Sequence, residues 1–159
     1  MKLLPIRYNT PMEICNNKQA LWHYEPIQKL EAGMILFGPE VKSLKQKRVD
    51  LKGSFISIKN NTAWLIGAHI APYGPAAGVQ KNYEPKRQRK LLLTKKELDF
   101  LRGNLTQKGL TIVPLRIYTT RGLIKLELAV VKGKKEFDKK AKIKKRDIER
   151  DVRRTLKEY

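Results

Sequence analysis

Two residues, Asn60 and Asn61, separate two β-rich segments and thereby constrain the middle of this chain to an antiparallel hairpin. The flanking residues 54–59 and 62–66 are rich in β-branched and aromatic side chains, which favour extended backbone. Asparagine tolerates the positive φ values that a two-residue hairpin turn requires. The sequence therefore predicts two strands that pair across this turn.

A second hairpin is predicted around Arg121 and Gly122. Residues 111–119 and 123–131 alternate between apolar and polar side chains, as strands with one buried face do. Pro114 interrupts the first of these strands. Because proline has no N–H to donate, that strand is expected to lie at a sheet edge or to carry a bulge.

A capping box at Thr94 and Glu97 marks the start of the clearest helix in the sequence. The threonine hydroxyl can accept from the third helical N–H, while the glutamate carboxylate accepts from the N–H of the cap residue. Leucines follow at helical spacing, at positions 98, 101 and 105. We therefore predict a helix over residues 95–107 that closes at Gly109.

The rest of the body is less regular. Residues 21–36 are aromatic and aliphatic but contain a proline and a glycine, which predicts short strands with a bend. Pro39 and Glu40 predict the start of a short helix that ends near Lys47 or Arg48. Residues 71–85 contain three prolines and two glycines, so they predict a long loop, a kind of segment that often carries function.

The two ends of the chain differ from this body. Residues 1–16 show no sustained period and contain several asparagines and prolines, which predicts a flexible N-terminal arm. Residues 132–159 contain 13 Lys+Arg and 6 Asp+Glu, with an apolar residue at every fourth position from Ile148. We expect this basic tail to be disordered when free and to become helical on a partner. The body between arm and tail comprises residues 17–131.

Several short strands with two or three accessory helices predict a mainly β domain, arranged as a small closed antiparallel barrel. The OB-fold is a common barrel that combines a closed sheet with a nucleic-acid-binding surface. Periodicity alone does not distinguish it from other α+β barrels. A length of 159 residues suits one such domain.

The charge balance limits the class of partner. With 35 Lys+Arg against 15 Asp+Glu, the chain carries a formal charge of +20, which favours an acidic partner such as nucleic acid or an anionic membrane surface. The longest apolar stretches span only a few residues, whereas a membrane-spanning helix needs about 20. Nucleic acid is therefore the favoured partner. A cytoplasmic location is expected, because the sequence shows no secretion signal and Cys15 is its single cysteine.

The sequence shows no recognisable motif for catalysis. It contains two histidines, His23 and His69, and no metal-binding, nucleotide-binding or nucleophile motif. Four carboxylates could in principle gather around magnesium, but their spacing matches no motif: Glu25, Glu31, Glu40 and Asp50. We therefore expect no enzymatic activity, no cofactor and no metal site.

Basic residues interleaved with aromatic ones are the strongest functional signal. One basic group lies on and after the predicted short helix: Lys42, Lys45, Lys47, Arg48 and Lys52. A second lies beside the predicted long loop: Lys81, Lys86, Arg87, Arg89 and Lys90. Candidate base-stacking aromatics are spread along the chain: Trp22, Tyr24, Tyr73, Tyr83 and Phe137. Together with the basic tail, these groups favour a polyanionic partner.

Seven stretches of the sequence resemble, in order, those of one protein family: NKQA (17–20), YE (24–25), LEAGMILFGPEVKSLK (30–45), HIAPYG (69–74), PKRQRKLLLTKKEL (85–98), KGLTIVPLRIY (108–118) and VKGKKEFDKK (131–140). The chain thus resembles SmpB, the tmRNA-binding (SsrA-binding) protein family of bacterial trans-translation. An ordered set that spans about residues 17–155 is far more specific than any single motif.

The resemblance implies an OB-fold barrel with accessory helices and a non-enzymatic RNA-binding function. The body of such proteins holds the tRNA-like domain of tmRNA, and the complex enters the vacant A site of a stalled ribosome for rescue and peptide tagging. There the tail is expected to become helical on the ribosome and to occupy the small-subunit decoding site and the mRNA channel. Elongation factor Tu and alanyl-tRNA synthetase are implied as indirect partners, because they act on the same charged tmRNA.

Matching positions imply functional residues in this chain. The implied tmRNA-binding set is Asn17, Lys18, Tyr24, Glu31, Lys42, Arg89 and Lys90. The implied ribosome-binding set in the tail is Gly133, Lys134, Lys135, Phe137, Asp138, Lys139 and Lys140. Two residues depart from the family pattern. Phe137 stands where His or Tyr is frequent and lacks their hydrogen bond, while Lys140 replaces the planar fork of the usual Arg with a point charge.

Two other functions fit the composition. A ribosomal protein would remain with ribosomal subunits through a high-salt wash. A metal-dependent RNA-processing enzyme would need magnesium and Glu31 for RNA cleavage.

Overall fold

A seven-stranded antiparallel sheet forms most of the computed structural model, which describes residues 11–155. The elements in chain order are β1 (Met12–Asn16), α1 (Lys18–His23), β2 (Tyr24–Met34), α2 (Gly38–Lys45), β3 (Val49–Asp50), β4 (Phe55–Lys59), β5 (Thr62–Ile66), β6 (His69–Ile70), β7 (Arg89–Leu92), α3 (Lys95–Leu105), β8 (Leu110–Thr120), β9 (Leu123–Gly133) and α4 (Glu136–Thr155). One turn of 3₁₀ helix, Gly74–Ala76, lies between β6 and β7.

The sheet is open. Its strand order is β1-β8-β9-β2-β7-β5-β4, and a separate ladder joins β3 to β6. β4 approaches β8, but the described residues form no ladder between these two strands. Over residues 116–119, β8 is already paired with β1 on one edge and β9 on the other. The mainly β fold with accessory helices is confirmed, whereas closure of the sheet into a barrel is not confirmed among residues 11–155.

Both predicted hairpins are confirmed. β4 and β5 pair across Asn60 and Asn61, whose φ values are 48° and 56°. β8 and β9 pair along their length, and the register shifts between Pro114 and Arg116. The proline therefore lies at a bulge, as one of the two predicted alternatives has it. The ladder with β1 reaches only residues 116–119, so one edge of β8 carries no ladder at Pro114.

The two predicted helices of the body are also confirmed. The Thr94 hydroxyl accepts from the Glu97 N–H at 3.3 Å, and the Thr94 N–H donates to the Glu97 carboxylate at 2.7 Å. This helix, α3, ends at Leu105, two residues before the predicted end, and Gly109 follows with φ 85°. α2 begins with Gly38 and Pro39, as its sequence predicts.

The N-terminal third differs from the prediction in two ways. Met12–Asn16 forms a strand that pairs with β8, so the predicted arm is too long, and its residues 1–10 lie outside the described residues. Residues 18–34 form a short helix and one long strand in place of several short strands. Asn17 caps this helix by accepting from the Ala20 N–H at 3.1 Å.

The larger of two apolar clusters packs residues of the sheet against α2 and α3, and the smaller one packs Ala20 of α1 against the sheet. Leu44 of α2 and Leu101 of α3 are fully buried, as are Ile112 of β8 and Leu128 of β9. Burial of such side chains is the main stabilising term for a domain of this size. Among residues 11–155, no helix is both long and apolar enough to cross a membrane.

The tail continues directly from β9 into α4. Its predicted apolar stripe is exposed, with Ile148 at 55% and Val152 at 53%. The predicted helix of the tail is present over Glu136–Thr155. Its dependence on the ribosome for order stays a prediction.

Candidate nucleic-acid interface

The candidate interface is organised around Glu40, a fully buried carboxylate in the first turn of α2. Arg89 Nε donates to Glu40 Oε1 at 3.0 Å, and Arg87 Nε donates to the same oxygen at 2.9 Å. Arg87 Nη2 donates to Oε2, which also accepts from the Phe37 N–H at 2.9 Å. Both carboxylate oxygens are therefore hydrogen-bonded, as a buried charge requires.

The surroundings of Glu40 keep its carboxylate ionised. Burial raises its pKa, but hydrogen bonds from Arg87 and the Phe37 N–H, together with the charge of Arg89, outweigh burial and lower the pKa. Burial also raises the pKa of the Tyr83 hydroxyl, and the nearby Glu40 charge adds to this effect. The cluster therefore combines three charged side chains with a neutral tyrosine.

This cluster anchors the long loop, residues 71–88, which connects β6 to β7. Arg89 Nη1 donates to Ala68 O at 2.7 Å, just before the loop. Arg89 Nη2 donates to Pro85 O at 2.9 Å and to the Tyr83 hydroxyl at 3.1 Å, near the end of the loop. Because the buried side chain of Arg89 binds both Ala68 O and Pro85 O, it holds the segments before and at the end of the long loop together.

Four exposed lysines lie on the long loop or beside it: Lys42, Lys81, Lys86 and Lys90. Lys42 Nζ lies 5.2 Å from the centroid of the Tyr73 ring, a distance typical of a cation–π contact. The carbonyl of Lys90 accepts from the Ile35 N–H at 3.0 Å, so its backbone is fixed while its ammonium group reaches solvent. Each such lysine can supply a point charge to one phosphate.

Two residues of the predicted tmRNA-binding set are buried. Arg89 has no exposed surface, and its guanidinium is fully engaged by the Glu40 cluster. Asn17 is 5% exposed, and its side-chain nitrogen donates to Pro114 O at 2.9 Å and Leu51 O at 3.3 Å. Their direct contact with RNA stays a prediction, and in this structure the polar groups of both side chains are bound by other groups of the protein.

Glu31 lies on the outer face of the sheet, directly opposite Glu127 in the β2–β9 ladder. The Tyr118 hydroxyl donates to Glu31 Oε2, and Lys125 Nζ lies 3.4 Å from Glu31 Oε1. The hydrogen bond from Tyr118, with the smaller effect of Lys125, lowers the pKa of Glu31 despite some desolvation. Burial and the Glu31 contact in turn raise the pKa of Tyr118 to about 12. Glu31 is therefore an ionised acceptor held in one position.

The start of the tail contacts α1. Tyr24 lies opposite Gly133 in the β2–β9 ladder, and the Lys134 N–H donates to His23 O at 3.0 Å. Lys134 Nζ donates to Leu21 O at 2.7 Å. The neighbouring Lys142, with partial burial adding to its effect, lowers the pKa of Lys134. A residue of the predicted tmRNA-binding set and residues of the predicted ribosome-binding set therefore lie next to each other at the C-terminal end of α1.

α4 lies against α1 along a groove of about 440 Å³. The guanidinium carbon of Arg146 lies 5.7 Å from the centroid of the Trp22 ring. The groove is lined by Lys18, Leu21, Trp22, Lys142, Lys145, Arg146 and Glu149. Of the predicted tail residues, Lys135, Asp138 and Lys140 are exposed and Lys139 is half-buried, whereas the side chain of Phe137 lies outside the described residues.

The predicted tmRNA-binding residues do not form one cluster. Lys18 and Tyr24 lie beside the tail, Lys42 lies beside the long loop, and Glu31 lies on the outer face of the sheet. Glu31 lies seven positions after Tyr24 on the same extended strand, a span of about 23 Å. An RNA that contacts all of them must therefore be a large folded one.

The importance of Glu40 was missed at the sequence level. Its partners Arg87 and Arg89 lie 47 and 49 residues away, so local patterns do not reveal the cluster. The only local signal is the position of Glu40, three residues after the cap residue Phe37. Among the described residues, no group of three or more His, Cys, Asp and Glu side chains is arranged to hold a metal ion.

Comparisons with known proteins agree on one family. The family model described as SmpB protein matches residues 14–158. The SsrA-binding protein of Trichodesmium erythraeum (strain IMS101) is 46% identical over 92% of this chain and 93% of its own length. That of Oleidesulfovibrio alaskensis is 48% identical over 90% of this chain and 91% of its own. A chain in a solved structure described as "tmRNA-SmpB: a journey to the center of the bacterial ribosome" is 45% identical, with a TM-score of 0.64 over 77% of this chain and 85% of that one.

Proposed function

The chain belongs to the SmpB family, and from this premise we propose that it binds the tRNA-like domain of tmRNA and delivers it to stalled ribosomes for rescue and peptide tagging. The observation that supports this proposal most strongly is the match over residues 14–158, which includes both the body and most of the tail. The proposed role is that of an RNA-binding protein without enzymatic activity, acting in the cytoplasm.

In this proposal the body recognises RNA by shape and phosphate. A folded tRNA-like RNA offers few readable base edges, so contacts to its backbone supply most of the affinity. Lys18, Lys42 and Lys90 are exposed and supply such contacts from three parts of the body. Glu31 supplies selectivity, because a carboxylate can accept from base amino groups or sugar hydroxyls, which lysines cannot do.

The tail acts on the ribosome in this proposal. Residues 133–140 enter the small-subunit decoding site, and the rest of α4 follows the mRNA channel. A helix with many lysines and arginines suits a channel lined by ribosomal RNA phosphates. Elongation factor Tu and alanyl-tRNA synthetase are indirect partners, since they act on the charged tmRNA that the body holds.

The RNA that co-purifies with the full-length chain tests this function. We expect a single tmRNA species when the tagged protein is isolated from bacterial cells at moderate salt and its RNA is sequenced. Recovery of bulk ribosomal RNA without enrichment of tmRNA would contradict the proposal and favour a ribosomal protein.

A further inference from the structure

A groove of about 450 Å³ separates the start of α2 from the long loop. Two of its residues are apolar and largely exposed: Phe37 at 56% and Val79 at 89%. Its remaining residues are Pro39, Gly78, Gln80, Lys81, Asn82 and Tyr83. A volume of this size is typical of sites for single small groups.

Both walls of the groove are fixed to the Glu40 cluster. The Phe37 N–H donates to Glu40 Oε2 at 2.9 Å on one side, and the Tyr83 hydroxyl lies 3.1 Å from Glu40 Oε1 on the other. Within the loop, the Val79 N–H donates to Ala76 O at 3.0 Å, which closes a tight turn. The groove is therefore formed before any ligand binds, and a ligand need not order it.

One face of the Phe37 ring is already used in a stacking contact. The Arg87 guanidinium carbon lies 4.0 Å from the ring centroid, and Arg87 is held in turn by Glu40. Phe37 nevertheless remains 56% exposed as a residue. The ring is thus held in place and still offers surface to a second planar group.

The charges around the groove specify what kind of planar group fits. Lys81 lines the groove, and Lys42 lies one helical turn beyond Pro39 on α2. Asn82 also lines the groove, with an amide that can both donate and accept hydrogen bonds. An apolar ring surface, an amide and nearby cations together match a nucleotide, in which a flat base is linked to a phosphate.

We infer that the groove between Phe37 and Val79 binds one unpaired base of the tRNA-like domain, with Phe37 as its stacking surface and Lys81 near the adjacent phosphate. This inference rests on the proposed function and adds a site to it. It separates two kinds of contact within the same interface, since the base contributes stacking while the surrounding lysines contribute charge.

The test measures the Kd of full-length variants for a transcribed tRNA-like domain at several salt concentrations. Phe37→Ala is expected to raise the Kd by about 5- to 150-fold without changing the slope of log K against log salt, because stacking involves no phosphate. Phe37→Leu, which keeps apolar volume beside Arg87 but removes the ring, is expected to weaken binding as well. Phe37→Trp is expected to retain affinity.

Phe100→Leu is the matched control, because Phe100 is a partly exposed phenylalanine on α3. It is expected to stay within about twofold of the original Kd. The inference is overturned if Phe37→Leu binds as tightly as the unaltered chain, since stacking would then contribute nothing. Failure of the unaltered chain to bind the tRNA-like domain would instead contradict the proposed function.

Discussion

Glu31 and Glu127 face each other directly across the β2–β9 ladder, although both are carboxylates. Like charges in this position are destabilising unless each has its own partners. Tyr118 and Lys125 contact Glu31, while Arg116 and Lys29 contact Glu127. The hydrogen bond that Arg116 Nε donates to the Glu127 carboxylate accordingly raises the pKa of the Arg116 guanidinium, against a smaller effect of desolvation. The pair is thus maintained by two separate sets of donors.

The first prediction concerns Tyr118. Tyr118→Phe removes the hydroxyl that donates to Glu31, so the pKa of the Glu31 carboxyl is expected to rise toward its ordinary value. An NMR titration of the Glu31 side chain measures this change. Tyr24→Phe, at the other end of β2, is the control and should leave that pKa unaltered; an equal shift in both variants would refute the assignment.

The second prediction concerns the stability supplied by Glu40. Glu40→Gln leaves Arg89 buried without its ion partner, which is expected to lower the free energy of unfolding by about 3–5 kcal/mol. Urea denaturation followed by circular dichroism measures this value. Glu84→Gln, an exposed substitution in the long loop, should change it by no more than about 0.5 kcal/mol. A similar small effect of Glu40→Gln would show that the cluster contributes no net stability.

The third prediction follows from the lowered pKa of Glu40. Because the folded pKa lies below the unfolded value of about 4.3, the folded state binds this proton less readily than the unfolded state. The contribution of Glu40 to stability is therefore complete above that value and is lost as the pH falls through the folded pKa. We expect the unaltered chain to lose more stability than Glu40→Gln when unfolding is measured from pH 6 down to about pH 3. If the free energy of unfolding falls equally with pH in the two proteins, the loss of stability does not come from protonation of Glu40.

The fourth prediction concerns phosphate contacts. Lys90→Gln removes one exposed positive charge, so the slope of log K against log salt for the tRNA-like domain should become shallower by about one. Fluorescence anisotropy over a salt series gives this slope. Lys59→Gln, on the β4–β5 hairpin, serves as the control; a slope that Lys90→Gln leaves unchanged would place Lys90 off the interface.

The fifth prediction separates the body from the tail. Truncation after Lys135 retains β9 and the contacts of Lys134 with α1 but removes α4. Affinity for the tRNA-like domain is expected to stay within about tenfold, whereas peptide tagging on stalled ribosomes should be abolished. A filter-binding assay and an in vitro tagging assay measure the two quantities. If affinity for the tRNA-like domain and peptide tagging are lost equally, the body and the tail do not have separate functions.

Features determined by a few neighbouring residues could be predicted from the sequence. The capping box at Thr94, the turn at Asn60 and the bulge at Pro114 each have a local cause, and each is present in the structure. α1 was not predicted, because six residues are too few to establish a helical period. β1 was not predicted either, since its partner strand lies about a hundred residues further along the chain.

In the candidate site, too, features with a local cause could be predicted from the sequence and long-range contacts could not. The sequence correctly indicated exposed lysines near a long loop, because basic residues are rarely buried. It could not reveal that Arg89 is one of the exceptions, since the ion partner Glu40 comes from a distant helix. Burial of a charged residue depends on long-range packing, so residue type alone does not separate a ligand-binding arginine from a structural one.

Lys134 attaches the start of the tail to α1, so a small change of angle at this residue moves the far end of α4 by a larger distance. A helix of 20 residues, the length of α4, is about 30 Å long. A rotation of α4 by about 10° about Lys134 would displace the far end of the helix by about 5 Å, roughly the spacing of one helical turn. The two hydrogen bonds from Lys134 therefore fix the direction of α4 relative to the body. The position of the far end of the tail depends on these contacts at its start.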